Sequence, residues 1–197
     1  LMRNHSAAGT REQEVYRFGN TAGFRHVIGL RYRLIPYLYS EYMKAALRGE
    51  MMFRPLAFDY PDDKYAAQVE DQLLLGNELM LAPVYEQNAR GRYVYLPETM
   101  KMVRFKEDGT METEIRPAGH QYIDVELTDV VFFMRPDTLI PLAKPAQCTQ
   151  DIDFEHLELL KFVQNEMASY EYYHDDGYSK DYENPEHLSL LFSTTEE

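Results

Sequence analysis

One long amphipathic segment, residues 23–48, restricts the fold more than any other feature of this 197-residue chain. Its apolar side chains recur every three or four residues, which places them on one stripe of an α-helix that has to be buried against other elements. Arg48 lies in the last predicted turn, and Gly49 follows it as a natural helix stop. Pro36 lies inside the pattern, and because proline lacks a backbone donor and crowds the preceding turn, we expect a kink there. The stripe contains Phe24, Val27, Ile28, Arg31, Leu34, Ile35, Leu38, Tyr42 and Ala45.

A change of pattern after Gly76 predicts that the rest of the chain is mostly β-structure. Short segments rich in strand-forming residues alternate with turns such as Asp108-Gly109, and their spacing of about 8–12 residues favours an antiparallel sandwich. We expect strands near 78–84, 91–96, 101–105, 111–115, 120–126, 131–135 and 138–142.

The segments on either side of this region are predicted less uniformly. Residues 64–74 have the composition of a short helix. Residues 170–178 are typical of a strand that enters an Asp-Gly turn, with 188–192 as its partner strand. Residues 157–166 fit either a strand or a helix.

The charge distribution excludes several classes of partner. The formal net charge is −13, and residues 151–197 alone hold 13 acidic and 2 basic side chains. Nucleic acids and anionic membranes bind basic surfaces, so we expect neither as a partner. No apolar run approaches the length of a membrane span. The single cysteine, Cys148, allows no internal disulfide, which fits a reducing compartment and a cytoplasmic location.

No motif in the sequence identifies a cofactor, a metal or a nucleophile. Phosphate-binding glycine loops, Gly-x-Ser-x-Gly and Cys-x-x-Cys are all absent, so we expect no cofactor. His174, Asp175 and Asp176 with Asp181 lack the alternation of a calcium loop, and the cluster at 151–156 is no stronger, so we expect no metal. Cys148 has no identifiable activating partner, and single free cysteines are most often packed and inert.

Five stretches of the sequence, taken in order, resemble the C-terminal third of glycoside hydrolase family 31, the α-glucosidase and α-xylosidase family. They are LMRNHS at 1–6, RYRLIPYLY at 31–39, RPLAFDYPDD at 54–63, LGNELMLAPV at 75–84 and FMRPDTLIPL at 133–142. Each stretch is modest alone, but their collinear order is a strong signal. The family's Gly-x-Trp segment is replaced here by YLPETMK at 95–101, and the distal β region is short, which suggests a compact bacterial subgroup.

The resemblance implies a mixed α and β fold in three parts. Residues 1–77 are expected to be the C-terminal remnant of a (β/α)8 catalytic barrel, with the end of its last strand and its last helix. Residues 78–150 are expected to form a proximal antiparallel C-terminal β-sandwich. Residues 151–197 are expected to form an abbreviated distal β region.

The resemblance also implies where the substrate binds. A histidine in the context Arg3-Asn4-His5 is, by itself, more often a hydrogen-bonded loop residue. In the family this segment ends the last barrel strand, where a barrel places its site, and the matching histidine binds sugar hydroxyls. We therefore expect His5 to bind substrate, since imidazole can donate and accept, with Arg3 in a supporting role. The family's catalytic carboxylates lie in upstream segments that do not occur here, so we expect no catalytic residue in this chain.

The leading interpretation is the C-terminal fragment of a retaining, α-glucosidase-like glycosidase that hydrolyses terminal α-linked glucose from oligosaccharides. Its partners would be that substrate, the missing N-terminal catalytic portion and, as an open alternative, a second copy of the chain. Alone it is expected to be inactive. Two other interpretations remain: a free-standing carbohydrate-binding β-sandwich, in which the helix stripe would lack a partner, and a structural module that oligomerises through the helix. Glycan binding and sedimentation of the chain distinguish them.

Overall fold

The predicted long helix is present but divided in two. The computed structural model describes Gly9 and residues 14–165, 167–179 and 186–193, the last segment by its backbone apart from Leu190 and Leu191. Helix α1 spans Thr21–Arg33, helix α2 spans Ile35–Arg48, and Leu34 links them. Pro36 lies in the first turn of α2, where its missing N–H interrupts the backbone ladder. The kink is therefore confirmed, although the break itself lies at Leu34, and the predicted stop at Gly49 is confirmed by a φ of 70° there.

The buried face of the helices differs in part from the predicted stripe. Leu30, Leu34 and Tyr37 are buried, whereas Arg31 and Tyr42, both assigned to the stripe, are exposed. The difference arises because the break at Leu34 changes the register of α2 relative to α1. It also arises because α2 buries polar side chains, Ser40, Glu41 and Lys44.

Short strands are the main regular elements of the described chain after α2. One helical turn, α3 (Leu56–Asp59), and the 3-10 turns Val15–Arg17, Ala66–Gln68 and Thr149–Asp151 complete the elements. The strands are β1 (Phe53–Pro55), β2 (Leu73–Leu75), β3 (Leu79–Leu81), β4 (Gly91–Leu96), β5 (Met100–Phe105), β6 (Met111–Arg116), β7 (Gly119–Asp124), β8 (Val130–Met134), β9 (Thr138–Leu142), β10 (Glu158–Phe162), β11 (Met167–His174) and β12 (Glu186–Ser193).

The strands between residues 78 and 142 were predicted closely, and the surrounding segments less well. Each of the seven expected strands overlaps one of β3 to β9, and β11 with β12 confirms the expected distal pair. The ambiguous segment 157–166 contains a strand, β10. The helix predicted over 64–74 is wrong, because only the turn Ala66–Gln68 is helical and β2 pairs with both β1 and β3.

The strands form sheets that pack in a sandwich-like arrangement. One sheet has the order β1-β2-β3-β8-β5-β6, a second β10-β9-β11-β12, and β4 with β7 forms a two-stranded ribbon. All pairs are antiparallel except β9 with β11. Strand β8 is buried on both faces, since Phe132 and Met134 join the core under the helices and Phe133 joins the core under the ribbon.

The observed architecture therefore has mostly strands and few helices, as the mixed α and β expectation required. Its continuous apolar strands follow from burial on both faces of the six-stranded sheet. The division of the chain at residues 77 and 150 stays a prediction.

Candidate functional site

The residues predicted to bind substrate, His5 and Arg3, lie outside the described residues, and their role stays a prediction. Asp181 of the distal acidic cluster also lies outside them. Its described neighbours organise a turn: Asp176 accepts from the backbone N–H groups of Tyr178 and Ser179 at 2.9 and 2.8 Å, and Asp175 accepts from the Tyr39 hydroxyl. In the part of the chain that the structure describes, no group of three His, Cys, Asp or Glu side chains could hold a metal ion.

Cys148 is exposed, so the expectation that it is packed is wrong. Its thiol lies 3.2 Å from the Asp151 carboxylate. The 3-10 turn Thr149–Asp151 places that carboxylate beside the sulfur. The sulfur has no basic side chain as a hydrogen-bond partner among the described residues, so the sequence expectation of no activating partner stands without a contact that contradicts it.

A half-buried ion-pair cluster joins three of the sequence stretches quoted above. Arg54 donates from Nε to Asp59 at 2.8 Å and from Nη2 to the Asn77 side chain at 2.7 Å. Arg135 donates to the same Asp59 at 2.9 Å and to Glu98 at 2.8 Å. We call these five residues the outer polar cluster. Arg54, Asn77 and Arg135 come from 54–63, 75–84 and 133–142, so three separate stretches of sequence meet at one place.

Charge is balanced within the outer polar cluster. Two guanidinium groups face two carboxylates, and the hydrogen bonds from Arg54 lower the pKa of Asp59 despite its partial burial. Arg135 also lies over the ring of Tyr60, 5.2 Å from its centroid, and the Tyr60 hydroxyl donates to Glu98. The cluster therefore fixes the turn of α3 against the β2–β3 connection.

A second cluster, fully buried, joins α2 to both large sheets. Lys44 donates to Glu41 at 2.6 Å, and the Tyr170 hydroxyl of β11 donates to the same Glu41 at 2.8 Å. The Lys44 ammonium lies 4.1 Å from the centroid of the Tyr170 ring. The Tyr37 hydroxyl lies 2.5 Å from the Leu75 carbonyl and 3.0 Å from Glu78 Oε2. We call Tyr37, Glu41, Lys44, Glu78 and Tyr170 the inner polar cluster.

The environment of Glu78 in the inner polar cluster favours its protonated form. A tyrosine hydroxyl carries one proton, and the Leu75 carbonyl can only accept. Tyr37 can donate its one proton to Glu78 Oε2 or to that carbonyl, and when it donates to the carbonyl its oxygen can accept from Glu78 only if that carboxyl is protonated. Burial, together with the nearby Glu41 charge, raises the pKa of Glu78 to about 7, which agrees with this arrangement.

Gly76 separates the two clusters and permits both. Its φ is +63°, and its carbonyl accepts from Arg54 at 3.1 Å. A Cβ at this position would lie 2.4 Å from Glu41 Oε2 and 2.5 Å from the Tyr37 hydroxyl oxygen. Glycine is therefore required here by backbone conformation and by space.

Two cavities lie beside these elements. The first, of about 640 Å³, adjoins the outer polar cluster and is lined by residues 59–65 and Pro97; we call it the junction cavity. The second, of about 670 Å³, runs along α1 and is closed by parts of 105–109 and 145–147. No helix in the described ranges is long and apolar enough to cross a membrane.

The carboxylates of the two polar clusters have a structural role. Glycoside hydrolysis needs two carboxyl groups about 5–10 Å apart at an accessible site. Asp59 is held by two guanidinium groups, and Glu41 and Glu78 are buried. The clusters therefore position α2 and the β2–β3 turn, and they do not supply a nucleophile or a proton donor to a substrate.

Sequence reasoning missed both clusters. Glu41 and Lys44 lie on a helix, where charged residues are usually assigned to solvent. One signal was available: Arg54, Gly76, Asn77 and Arg135 all lie within the stretches that carry the family resemblance. These four residues lie close together in the structure. The stretches that carry the family resemblance therefore share a structural role, although none of them is expected to contain a catalytic residue.

Comparison with known proteins agrees with this arrangement. Residues 49–140 match the family model described as the glycosyl hydrolase family 31 C-terminal domain, and residues 1–41 match the glycosyl hydrolases family 31 TIM-barrel domain. The lysosomal alpha-glucosidase of Bos taurus is 31% identical over 193 residues, which cover 91% of this chain and 21% of the relative. Alpha-glucosidase 2 of Bacillus thermoamyloliquefaciens is 29% identical over 192 residues, covering 95% of this chain and 24% of the relative.

Solved structures show the same fold. A family 31 dextranase from Flavobacterium johnsoniae, complexed with glucose, superposes with a TM-score of 0.77 at 29% identity, covering 95% of this chain and 23% of that one. A glucosidase II alpha subunit, at 22% identity, superposes with a TM-score of 0.79 over 94% of this chain and 21% of that one, and shows the fold alone. The chain thus spans about a fifth to a quarter of the length of these proteins.

The fold and these matches identify the class of protein as a glycoside hydrolase family. The chain belongs to glycoside hydrolase family 31, and it corresponds to the end of the family's barrel domain followed by its C-terminal domain. The family resemblance inferred from the five stretches is confirmed.

Proposed function

We propose that this chain forms the end of the catalytic barrel and the C-terminal β region of a retaining, α-glucosidase-like enzyme that releases terminal α-linked glucose from oligosaccharides. Helices α1 and α2 correspond to the last helix of that barrel. The observation that carries the proposal is the meeting of Arg54, Asn77 and Arg135 in the outer polar cluster. It places the family's sequence stretches in one junction directly beside α2.

In this proposal the chain binds the sugar and supports the barrel. The catalytic carboxylates belong to segments of the family that this chain does not contain. His5 binds hydroxyls of the sugar that is cleaved, and Arg3 orients the loop. The inner and outer polar clusters hold α2, and hence the strand that precedes it, in a fixed position. A fixed position matters because small displacements of binding groups weaken transition-state stabilisation strongly.

The first test uses the chain alone. We expect no hydrolysis of p-nitrophenyl α-glucoside above a heat-inactivated control, because retaining hydrolysis requires a nucleophile and an acid/base that this sequence lacks. Turnover that copurifies with the chain and survives removal of contaminating glycosidases would refute the proposal.

The second test uses a protein in which this chain continues from the family's catalytic segments. His5→Ala is expected to lower kcat/KM about ten- to hundredfold with an unchanged melting temperature, since it removes about 1.5–3 kcal/mol of transition-state binding. A purely structural His5 would instead lower the melting temperature and leave kcat/KM of the folded protein near normal. Arg3→Lys, which keeps the charge, is the matched control and should have the smaller kinetic effect.

The remaining expectations are part of the same proposal. Four expectations stay predictions: the oligosaccharide substrate, a catalytic portion supplied from outside these 197 residues, self-association and a cytoplasmic location. The alternative of a carbohydrate-binding or oligomerising module would be supported by catalysis that does not depend on His5.

A further inference from the structure

One face of the two-stranded ribbon carries a continuous row of aromatic rings. Tyr93 pairs with Tyr122 across the strands, and Tyr95 pairs with His120 one repeat farther along. The ring centroids are 5.3 Å apart in the first pair and 4.8 Å in the second. Tyr65, from the loop before β2, closes the row at 5.6 Å from Tyr95 and 5.2 Å from His120. We call these five residues the aromatic strip.

The ribbon presents most of this face to solvent because its other face is in the core; within the strip, Tyr95 is only 9% exposed and packs into that core. Val94 and Ile123, which alternate with the strip residues, are buried under the six-stranded sheet. Tyr93 remains 72% exposed and Tyr122 53% exposed. Gly91 allows the Tyr122 ring to lie against the ribbon, since a Cβ there would come within 2.7 Å of the Tyr122 hydroxyl oxygen. The two rings are thus fixed edge to face rather than folded away.

Polar groups border the strip at the end that meets the junction cavity. Asp63 accepts from the Tyr95 hydroxyl at 2.5 Å and from the backbone N–H groups of Tyr65 and Ala66, so Tyr95 is held in place. Asp62 makes no hydrogen bond or ion pair with the residues that the structure describes. The Lys64 ammonium lies over the Tyr65 ring, 5.0 Å from its centroid, and both side chains line the cavity. Donors and acceptors are therefore available where the row of rings ends.

We propose that the aromatic strip and the junction cavity form a binding site for a neutral α-linked glucan chain, separate from the site at His5. Pyranose rings are apolar on their C–H faces and polar at their edges, which is the complement of flat aromatic rings bordered by carboxylates and an ammonium. Each ring of the strip also has a polar tip. Asp59 is already paired with Arg54 and Arg135. The two remaining carboxylates of the cavity, Asp62 and Asp63, face one ammonium, so an anionic ligand is disfavoured.

The choice of an α-glucan as the ligand rests on the proposed function. The binding of a carbohydrate as such rests on the aromatic strip alone. The simplest competing explanation is that Tyr93 and Tyr122 only stabilise the ribbon as a cross-strand pair. A second is that the strip contacts a protein, including another copy of this chain. The experiment separates all three.

The test is affinity electrophoresis of the chain in gels that contain soluble starch, dextran or dextran sulfate. We expect retardation by starch or by dextran and none by dextran sulfate, which has the same backbone as dextran but is charged. The double variant Tyr93→Phe/Tyr122→Phe keeps flat rings and should stay within about threefold of the native affinity. Tyr93→Leu/Tyr122→Leu keeps an apolar cross-strand pair without flat rings and should bind about tenfold or more weakly.

The matched control is Tyr178→Leu, which removes a tyrosine that is 81% exposed in the distal turn, and it should bind like the native chain. If the double leucine variant unfolds, Tyr93→Leu alone, at the more exposed position, carries the comparison. Three outcomes would each overturn the proposal. They are no retardation by either neutral glucan, equal binding by the leucine and phenylalanine variants, and a dimer that the leucine variant abolishes. An unchanged kcat/KM in the His5 experiment would refute the role of His5 and leave this readout unaffected, so the two proposals fail separately.

Discussion

The two polar clusters lie on opposite sides of Gly76 and use charge in opposite ways. The outer polar cluster balances two guanidinium groups against two carboxylates at the protein surface, and the inner one places two carboxylates around a single ammonium in the interior. The side chains of Lys44 and Glu41 are only 7% and 4% exposed. Since a buried surplus of negative charge is costly, the inner cluster is stable only with an additional proton. The same residue types thus form an ordinary ion-pair cluster on one side and a proton-dependent one on the other.

The largest expected effect comes from removing one cation from each cluster. Lys44→Met leaves Glu41 buried without its charge partner and should lower the free energy of unfolding by about 3–5 kcal/mol. Arg135→Met, the matched change in the outer polar cluster, should cost only about 1 kcal/mol because solvent screens the carboxylates that remain. Urea denaturation of both variants measures the difference. Equal losses would show that the two clusters do not differ in their exposure to solvent.

Adding one methyl group between the clusters should have the next largest effect. Gly76→Ala places a Cβ against Glu41 and Tyr37 and also strains a backbone with positive φ, for a total cost of about 3 kcal/mol or more. Gly49→Ala is the control, because Gly49 also has positive φ but no atom within 4 Å of its Cβ position. It should cost about 1–2 kcal/mol, the backbone contribution alone. Similar losses in the two variants would mean that the contact with Glu41 is not crowded.

The pH dependence of stability should have opposite signs in the two clusters. For Glu78 the folded pKa of about 7 lies above its ordinary value of 4.5, so the folded state binds more protons between these values. The free energy of unfolding should therefore fall as pH rises from about 4.5 to 7, by up to about 3 kcal/mol at about 1.4 kcal/mol per pKa unit. Glu78→Gln keeps the donor and removes the charge, so this dependence should disappear. A native chain whose stability rises over that interval, after subtraction of the variant's curve, would contradict a protonated Glu78.

Protonation of Asp59 in the outer polar cluster at low pH should have the smallest effect on stability. The lowered pKa of Asp59 contributes stability that is present above its ordinary value of 3.8 and is lost as pH falls through the lower folded value. Because solvent partly screens this half-buried group, we expect a change of no more than about 1 kcal/mol. Melting temperatures of the native chain and of Asp59→Asn, compared from pH 5 downward, should converge. A constant separation would mean that Asp59 does not titrate with folding.

The sequence predicted those elements whose pattern is local. The strands β3 to β9 follow from alternation and from turn residues such as Asp108-Gly109, which act within a few residues. A kink at Pro36 was predicted because a proline acts on its own helix, and the break lies two residues before it, at Leu34. Strand β2 was mistaken for a helix because its three leucines, Leu73, Leu74 and Leu75, fit either structure, and only pairing with β1 and β3 decides between them.

The polar residues were harder to assign because their environment is set by distant partners. Glu41 looks like a solvent-facing helix residue until Tyr170, 129 residues away, is placed against it. The tyrosines show the same limit. Tyr37 and Tyr170 are in the core, as abundant tyrosines usually are, whereas Tyr93 and Tyr122 form an exposed pair whose role no local pattern indicates. The substrate role of His5 rests on the resemblance alone and stays a prediction.

The contact between α2 and β11 also has a consequence for synthesis. The Ser40 hydroxyl oxygen accepts from the backbone N–H of Tyr173, 133 residues later in the chain. At about 5–20 residues per second, the ribosome needs roughly 7–27 seconds to deliver that strand after the helix has emerged. During this interval Glu41 and Lys44 are exposed to water, and Glu78 is ionised at neutral pH. Burial raises the pKa of Glu78 to about 7, and that burial is complete only after β11 has covered Glu41, so the rate of this last folding step should itself depend on pH.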